Sequence, residues 1–253
     1  MLSKNKIKLI QSLNRKKNRD ESGLFLVEGN KMVEEAIRSD YQIESLICTS
    51  EFIVQHPEIR SISAEIIETD KESIQKASLQ LNPQDAMAII RQPENDKPQF
   101  EPGKNLYLAL DFIQDPGNLG TIIRIADWFG IDTILCSLNT VDVYNPKVVQ
   151  ASMGAIFRVT CWYTSLEQSL TEISEQGIPV YGTFMDGENI YSEKLTTHGI
   201  IVMGNEGNGI SEPVEKLISK RLTIPSFSTN SQKSESLNVA IATSICCSEF
   251  RRR

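Results

Sequence analysis

Three short stretches of the chain hold side chains whose types and spacing suit chemistry. The first is Gln114-Asp115-Pro116-Gly117-Asn118-Leu119-Gly120-Thr121-Ile122-Ile123-Arg124. Asp-Pro-Gly-Asn is a turn sequence, and the helix expected after it carries Arg124 about one and a half turns in. Asn118 and Arg124 are both expected to reach the same end of the fold. There, an amide and a guanidinium could orient a substrate, clamp a phosphate or stabilise a developing negative charge. The second is Gly204-Asn205-Glu206-Gly207-Asn208-Gly209-Ile210-Ser211, whose glycines let backbone amides approach a ligand closely. Its spacing is G-x-x-G-x-G, and no G-K-[ST] follows, so neither the dinucleotide fingerprint nor the phosphate-loop fingerprint is met. In the third, Ile224-Pro225 is followed by a polar loop of ten residues, after which Ser236-Leu237-Asn238 opens an apolar helix. Ser236 reads as the N-cap of that helix. Asn238, inside the first turn, has no equally good structural reason to be there.

Acid–base chemistry has few other carriers. The two histidines, His56 and His198, stand beside no nucleophile or metal-ligand candidate. Five cysteines without a C-x-x-C suggest neither a disulfide framework nor a zinc site, and Cys246 and Cys247 read as buried thiols.

The elements that must position these residues alternate regularly. Apolar strands are expected at 105–112, 132–137, 157–163, 178–184, 199–204 and 221–225, with helices between most of them and a last helix from about Leu237 to Phe250. Near-continuous apolar strands alternating with helices predict an α/β domain with a mostly parallel sheet covered on both faces. Ligands of such sheets bind at the carboxyl ends of the strands, which is where the three stretches fall. Upstream, a basic helix near 5–18, strands at 24–29, 45–50, 64–69 and 86–92, and helices at 30–38 and 70–80 describe a smaller α/β domain. The stretch "PENDKPQFEPGK" at 93–104 reads as a linker. The expected division is 1–92, linker 93–104 and 105–253.

The formal charge of −7 argues against a nucleic-acid partner, but its distribution does not. Residues 1–19 hold Lys4, Lys6, Lys8, Arg15, Lys16, Lys17 and Arg19 and no acid, and the chain closes on Arg251, Arg252 and Arg253. Basic charge is thus concentrated where it could meet phosphates. With no apolar run of membrane-spanning length and no signal-peptide segment, the chain reads as cytoplasmic.

In order and spacing, Asn118 through Arg124, "MGNEGNGIS", and Ile224-Pro225 with "SLNVAIA" resemble the SpoU (TrmH-like) family of RNA ribose 2′-O-methyltransferases. "GLFLVEGNKMVEEAI" and "NPQDAMAII" resemble the ribosomal-protein-like substrate-binding domain that many members carry. The resemblance implies a trefoil knot in the C-terminal domain, S-adenosylmethionine as methyl donor and no metal. It also implies a homodimer formed through the knotted domain, with structured RNA as substrate, ribosomal ahead of transfer RNA. Carried over residue by residue, Gly204, Ile224 and Leu237, with Thr183, would hold the cofactor through main-chain groups. Arg124 would engage the 2′-hydroxyl or its phosphate, Asn118, Ser236 and Asn238 would orient substrate, and Glu206 would pair with an arginine. Departures are "IPSFS" in place of the usual "IPM-x-G", a longer loop to Ser236, and Ala240 in place of a frequent serine. The alternatives are a non-catalytic RNA-binding protein on the same fold, a base methyltransferase or a dehydrogenase. Removal of residues 1–92 is expected to spare the remainder and to abolish most RNA affinity.

Overall fold

The structure is a computed structural model that describes residues 2–94, 96–228 and 236–252. The chain divides into two compact units, one of residues 1–94 with 142–158, the other of 95–141 with 159–253.

In the first unit, α1 (Lys4–Ser12), α2 (Lys16–Ser22), β1 (Leu24–Glu28), α3 (Asn30–Ile37), β2 (Ile43–Cys48), α4 (Ser50–Gln55), β3 (Glu65–Glu68), α5 (Lys71–Ala77) and β4 (Ala86–Arg91) follow one another. The strands order as β1-β4-β2-β3, with β4 antiparallel to both neighbours and β2 parallel to β3. The basic helix expected as one piece is two, because Leu13 ends α1 and Arg15 starts α2. Ile10 and Leu13 are buried with Leu26, Ile47, Ile74 and Ile89 in an apolar core.

The second unit begins with β5 (Leu106–Leu110), α6 (Pro116–Trp128) and β6 (Thr133–Ser137). Residues 142–158, which include α7 (Pro146–Ser152), then belong to the first unit, where Tyr144 packs on Phe25 at 4.6 Å between ring centres. The second unit resumes with β7 (Thr160–Thr164), α8 (Leu166–Glu175), β8 (Val180–Asn189), β9 (Gly199–Met203), α9 (Glu212–Glu215), β10 (Lys220–Thr223) and α10 (Val239–Arg251). Its sheet, β10-β8-β9-β5-β6-β7, is parallel throughout.

Every residue of β5 and β9 is buried, as a sheet covered on both faces requires. Alternate residues separate the two layers. Tyr107, Ala109, Ile200 and Val202 pack with Leu166, Leu170 and Ile173 of α8 and Val214 of α9. On the remaining side, α10 stands against α6 and β9. Phe250 of α10 is fully buried, its ring edge-on to Tyr181 at 4.8 Å, whereas Ile241 is 55% exposed. Arg251 donates from Nε and Nη2 to the carbonyls of Phe129 and Gly130 at 2.8 and 2.9 Å, satisfying the open end of α6.

Candidate functional site

The site lies at the carboxyl ends of β5 and β9 and is built from helix caps and a closed turn. Asp115 caps α6, its Oδ1 accepting from the Asn118 amide nitrogen at 2.8 Å. Asn118 is thereby fixed in the first turn. Its Nδ2 donates to Glu206 Oε1 at 2.7 Å, and its Oδ1 accepts from Asn238 Nδ2 at 2.9 Å. Residues from the three chemical stretches are therefore joined in one chain, Glu206–Asn118–Asn238.

Asn238, rather than Ser236, caps α10, since Asn238 Oδ1 accepts from the backbone of Ala240 and Ile241 at 3.0 and 3.3 Å. The helix starts later than expected because an amide at this position can hold two helix donors through Oδ1 and still donate a hydrogen bond from Nδ2 to Asn118. Ser236 is exposed and makes no hydrogen bond among the described residues.

The loop after β9 is a closed turn. Asn205 and Gly209 exchange two backbone hydrogen bonds of 2.9 Å, and Asn205 Oδ1 takes the amides of Gly207 and Asn208 at 2.9 and 3.0 Å. A Cβ on Gly204 would stand 2.3 Å from the Gly209 carbonyl carbon and 2.4 Å from the Ile210 nitrogen. Gly204 is thus required by the loop's own backbone, before any ligand is considered. Glu206 sits on this turn and pairs with the Asn118 amide, not with the arginine expected.

Arg124 lies six residues beyond Asn118 on α6, about 9 Å along the axis and about 120° around it. It is exposed, on a face shared with Gly117, Thr121 and Trp128, and has no hydrogen-bond or ion-pair partner among the described residues. The structure does not bring it into the Glu206–Asn118–Asn238 chain, because six residues do not repeat on a helix of 3.6 residues per turn.

Of the cofactor candidates, Thr183 stands at the level of Met203, its Oγ1 donating to the Val202 carbonyl at 3.3 Å and lying 3.8 Å from Met203 Sδ. It is not at a strand end. There β8 loses register with β10, whose pairing steps from Arg221↔Gly182 to Leu222↔Glu188. Half-buried Ile224 and half-exposed Leu237 flank residues 229–235, which lie outside the described residues. Gly204, Ile224, Leu237 and Thr183 offer main-chain groups, aliphatic surface and a single hydroxyl. That donor set suits an uncharged heterocycle such as adenine. All five cysteines are buried, and burial pushes the Cys48 and Cys247 thiols up to about 11 and about 12, so neither of these two is a poised nucleophile. Among the described residues, no three His, Cys, Asp or Glu side chains gather as a metal site would require.

The sequence profile of the SpoU rRNA Methylase family matches residues 105–248. The chain belongs to the SpoU family. A second profile, the MRM3-like substrate binding domain, matches residues 4–88 of this SpoU-family chain. The 23S rRNA (guanosine(2553)-2′-O)-methyltransferase RlmP of Bacillus subtilis is 28% identical over 247 residues, 97% of this chain and 96% of that protein. Among solved structures, a chain assigned to the TrmH family of RNA methyltransferases from Porphyromonas gingivalis superposes with a TM-score of 0.88 at 42% identity. That match covers 100% of this chain and 99% of the other. An AdoMet-bound rRNA methyltransferase from Sinorhizobium meliloti superposes at 0.84 with 28% identity, covering 100% of this chain and 96% of that one.

Proposed function

We infer that this chain is an S-adenosylmethionine-dependent methyltransferase acting on a ribose 2′-hydroxyl of ribosomal RNA. The observation that carries the reading is the Glu206–Asn118–Asn238 chain at the carboxyl ends of β5 and β9, inside a SpoU-family domain. S-adenosylmethionine supplies an already electrophilic methyl group, so the protein's task is to align a ribose oxygen with it. Gly204, Ile224, Leu237 and Thr183 would hold the donor. Asn118, Asn238 and Ser236 would orient the ribose by hydrogen bonds, with Glu206 fixing the Asn118 amide. Arg124 is a poor proton acceptor, because a guanidinium carries only N–H donors and no acceptor. Its role is to clamp the neighbouring phosphate and stabilise charge developing on the ribose oxygen as the 2′-proton passes to solvent water.

The knot and the homodimer belong to the same reading. The first is supported by β9 lying between β8 and β5, and by Asn238 arriving beside Asn118 after Ile224 has left β10 at the sheet edge. The second is supported by Trp128 and Ile241, 85% and 55% exposed on the two helices that pack together. A monomer in light scattering at micromolar concentration would remove the dimer and leave the activity standing. Cytoplasmic location belongs to the same reading; among the described residues no helix is long and apolar enough to cross a membrane.

RNA would be gripped by the first unit, but through fewer cations than the composition suggests. Lys6 pairs with Glu65 at 2.7 Å, and Arg19 is buried against Asp142. Lys4, Lys8 and Arg15 are exposed without ion-pair partners among the described residues. Lys16 and Lys17 make exposed pairs with Asp20 and Glu21, which are weak. Deletion of 1–92 would uncover Val143, Val148, Val149 and Ile156, buried members of the same unit, so charge neutralisation is the cleaner probe.

Ribose-methylation mapping of ribosomal RNA from cells with and without the gene tests the activity. One site should lose its 2′-O-methyl group in the deleted strain and regain it on incubation with purified protein and S-adenosylmethionine. An unchanged map, with no transfer in vitro, would sink the reading.

A further inference from the structure

Strands β5 and β9 run in register up to Leu110↔Met203, and one step further the Asp111 N–H donates to the Met203 carbonyl at 2.9 Å. Beyond that point the two chains part, one to present Asn118 and the other to present Glu206. A cleft of about 310 Å³ opens between them, bordered by Asp111, Phe112, Asn205 and Asn208. Side chains do not fill that space, so polar bonds set the relative position of the two loops. Two such bonds span it. Asp111 Oδ2 accepts from the Ser211 amide at 2.7 Å, with Oδ1 left open to the cleft, and Asn205 Nδ2 donates to the Phe112 carbonyl at 2.8 Å. The first ties down the far end of the β9–α9 loop. The second ties down its near end, one residue from Glu206.

Phe112 receives this bond at a φ of +62°, a conformation that a bulky residue rarely adopts. Its carbonyl is held by the β9–α9 loop, while its N–H donates to Ser137 Oγ at the end of β6 at 2.8 Å. Backbone strain of this kind persists only where the surroundings over-determine it, and here a bond on each side of the residue does so. Asn205 is the other half of the device. Its Oδ1 already takes the amides of Gly207 and Asn208 at 2.9 and 3.0 Å, which closes the turn. An aspartate would serve that purpose equally well. The Nδ2 donor is what asparagine adds, and it goes to Phe112.

The bond closes a ring. From Phe112 the chain reaches Asn118 six residues on, Asn118 bonds Glu206 at 2.7 Å, Glu206 adjoins Asn205, and Asn205 returns to Phe112. Two hydrogen bonds hold this ring shut, so breaking the one at Phe112 frees Glu206 to move away from Asn118. We infer that Asn205 is a positioning residue for methyl transfer, acting through its bond to the Phe112 carbonyl to set where Glu206 meets Asn118. A displacement of about 1 Å in groups that orient a reacting atom can cost as much as about a hundredfold in rate. The inference rests on the ribose-methylation reading above and deepens it by adding a residue that works through the Glu206–Asn118 pair.

The test uses the full-length protein, S-adenosylmethionine and a short RNA spanning the mapped site. Asn205→Asp keeps the acceptor for Gly207 and Asn208 but sets a carboxylate oxygen against the Phe112 carbonyl. Asn205→Ser is uncharged, closes a turn through its hydroxyl and is too short to reach Phe112. Each should lower kcat by about tenfold or more while KM for RNA stays within about twofold. In an Asn118→Ala background the pair to be positioned is already gone, so each should lower kcat by less than about twofold further. A purely structural role would repeat the full loss there. Should Asn205→Asp fail to fold, Asn205→Ser carries the same expectations. Wild-type kcat in a folded variant, or an undiminished loss in the Asn118→Ala background, would overturn the role of Asn205 while leaving ribose methylation standing. Absence of transfer by the wild-type protein to any ribose would instead overturn the broader reading.

Discussion

Asn238 donates its side-chain amide to the carbonyl oxygen of Asn118 at 2.9 Å, across 120 positions of sequence. Each asparagine also serves its own helix start, Asn118 through its backbone N–H to Asp115 and Asn238 as the cap of α10. The bond therefore locks two helix N-termini together, and Glu206 extends it to the glycine turn. The substrate-orienting groups are thus preorganised by local caps.

Breaking the middle of this chain tests its role. Asn118→Ala should leave the Glu206 carboxylate and the Asn238 Nδ2 without a partner and lower kcat by about ten- to a hundredfold, with S-adenosylmethionine affinity changed less than about twofold. Unchanged turnover would show that the chain is only structural.

Arg124 has a different signature. Because it is exposed and unpartnered among the described residues, Arg124→Ala should change stability by less than about 0.5 kcal/mol. It should abolish methyl transfer while cofactor binding persists. Near-normal turnover of the folded variant on its native RNA would remove Arg124 from the mechanism.

A side chain at Gly204 would probe the loop before it probed any adenine contact. Since even a Cβ meets the Gly209–Ile210 backbone, Gly204→Ala should already cost about 1–3 kcal/mol in denaturant unfolding, or displace the turn. Lost cofactor binding would then follow from lost loop geometry. A fully stable Gly204→Ala protein would contradict the close approach.

Arg19 illustrates burial of a cation that composition assigns to RNA. Its Nε donates to Asp142 Oδ2 at 3.0 Å, and Nη1 to the carbonyls of Leu13 and Asn14 at 2.8 and 3.1 Å. Arg19→Ala should destabilise the protein by about 3–5 kcal/mol by stranding Asp142. Neutralising Lys4, Lys8, Arg15, Lys16 and Lys17 should instead spare the melting temperature and flatten the salt dependence of RNA binding, by about 0.7–0.9 in log–log slope per lost phosphate contact. Equal slopes before and after would locate RNA binding elsewhere.

A pH effect is expected at Glu28. Burial pushes its pKa above the ordinary 4.5, against hydrogen bonds from Ser78 and the Leu79 amide that lower it. The folded state thus holds this proton to higher pH than the unfolded chain. Glu28's contribution to stability therefore falls as pH rises from 4.5 through the raised value. Glu28→Gln removes that loss, so its stability advantage over wild type should grow across this range in denaturant titrations. A constant difference between the two proteins would refute the shift.

Local pattern carried much of this in the sequence alone. Uninterrupted apolar runs announced β5 and β9 as doubly covered strands, and turn and glycine chemistry located the loops that hold Asn118, Gly204 and Glu206. Those features depend on neighbours within a few residues. Partnerships across long separations did not show. Tertiary structure decided that Glu206 meets Asn118 rather than an arginine, that Asn238 caps α10 in place of Ser236, and that Arg19 is buried. It also decided that residues 142–158 fold with the first unit and that Asp111, an ordinary acid at a strand end by sequence, keeps an oxygen open to a cleft. For Glu206, the Asn238 link to Asn118, Arg19 and Asp111 the physical reason is the same. A polar side chain's role is set by which donor, acceptor or charge the fold delivers to it, and those partners lie about 90 to 120 residues away.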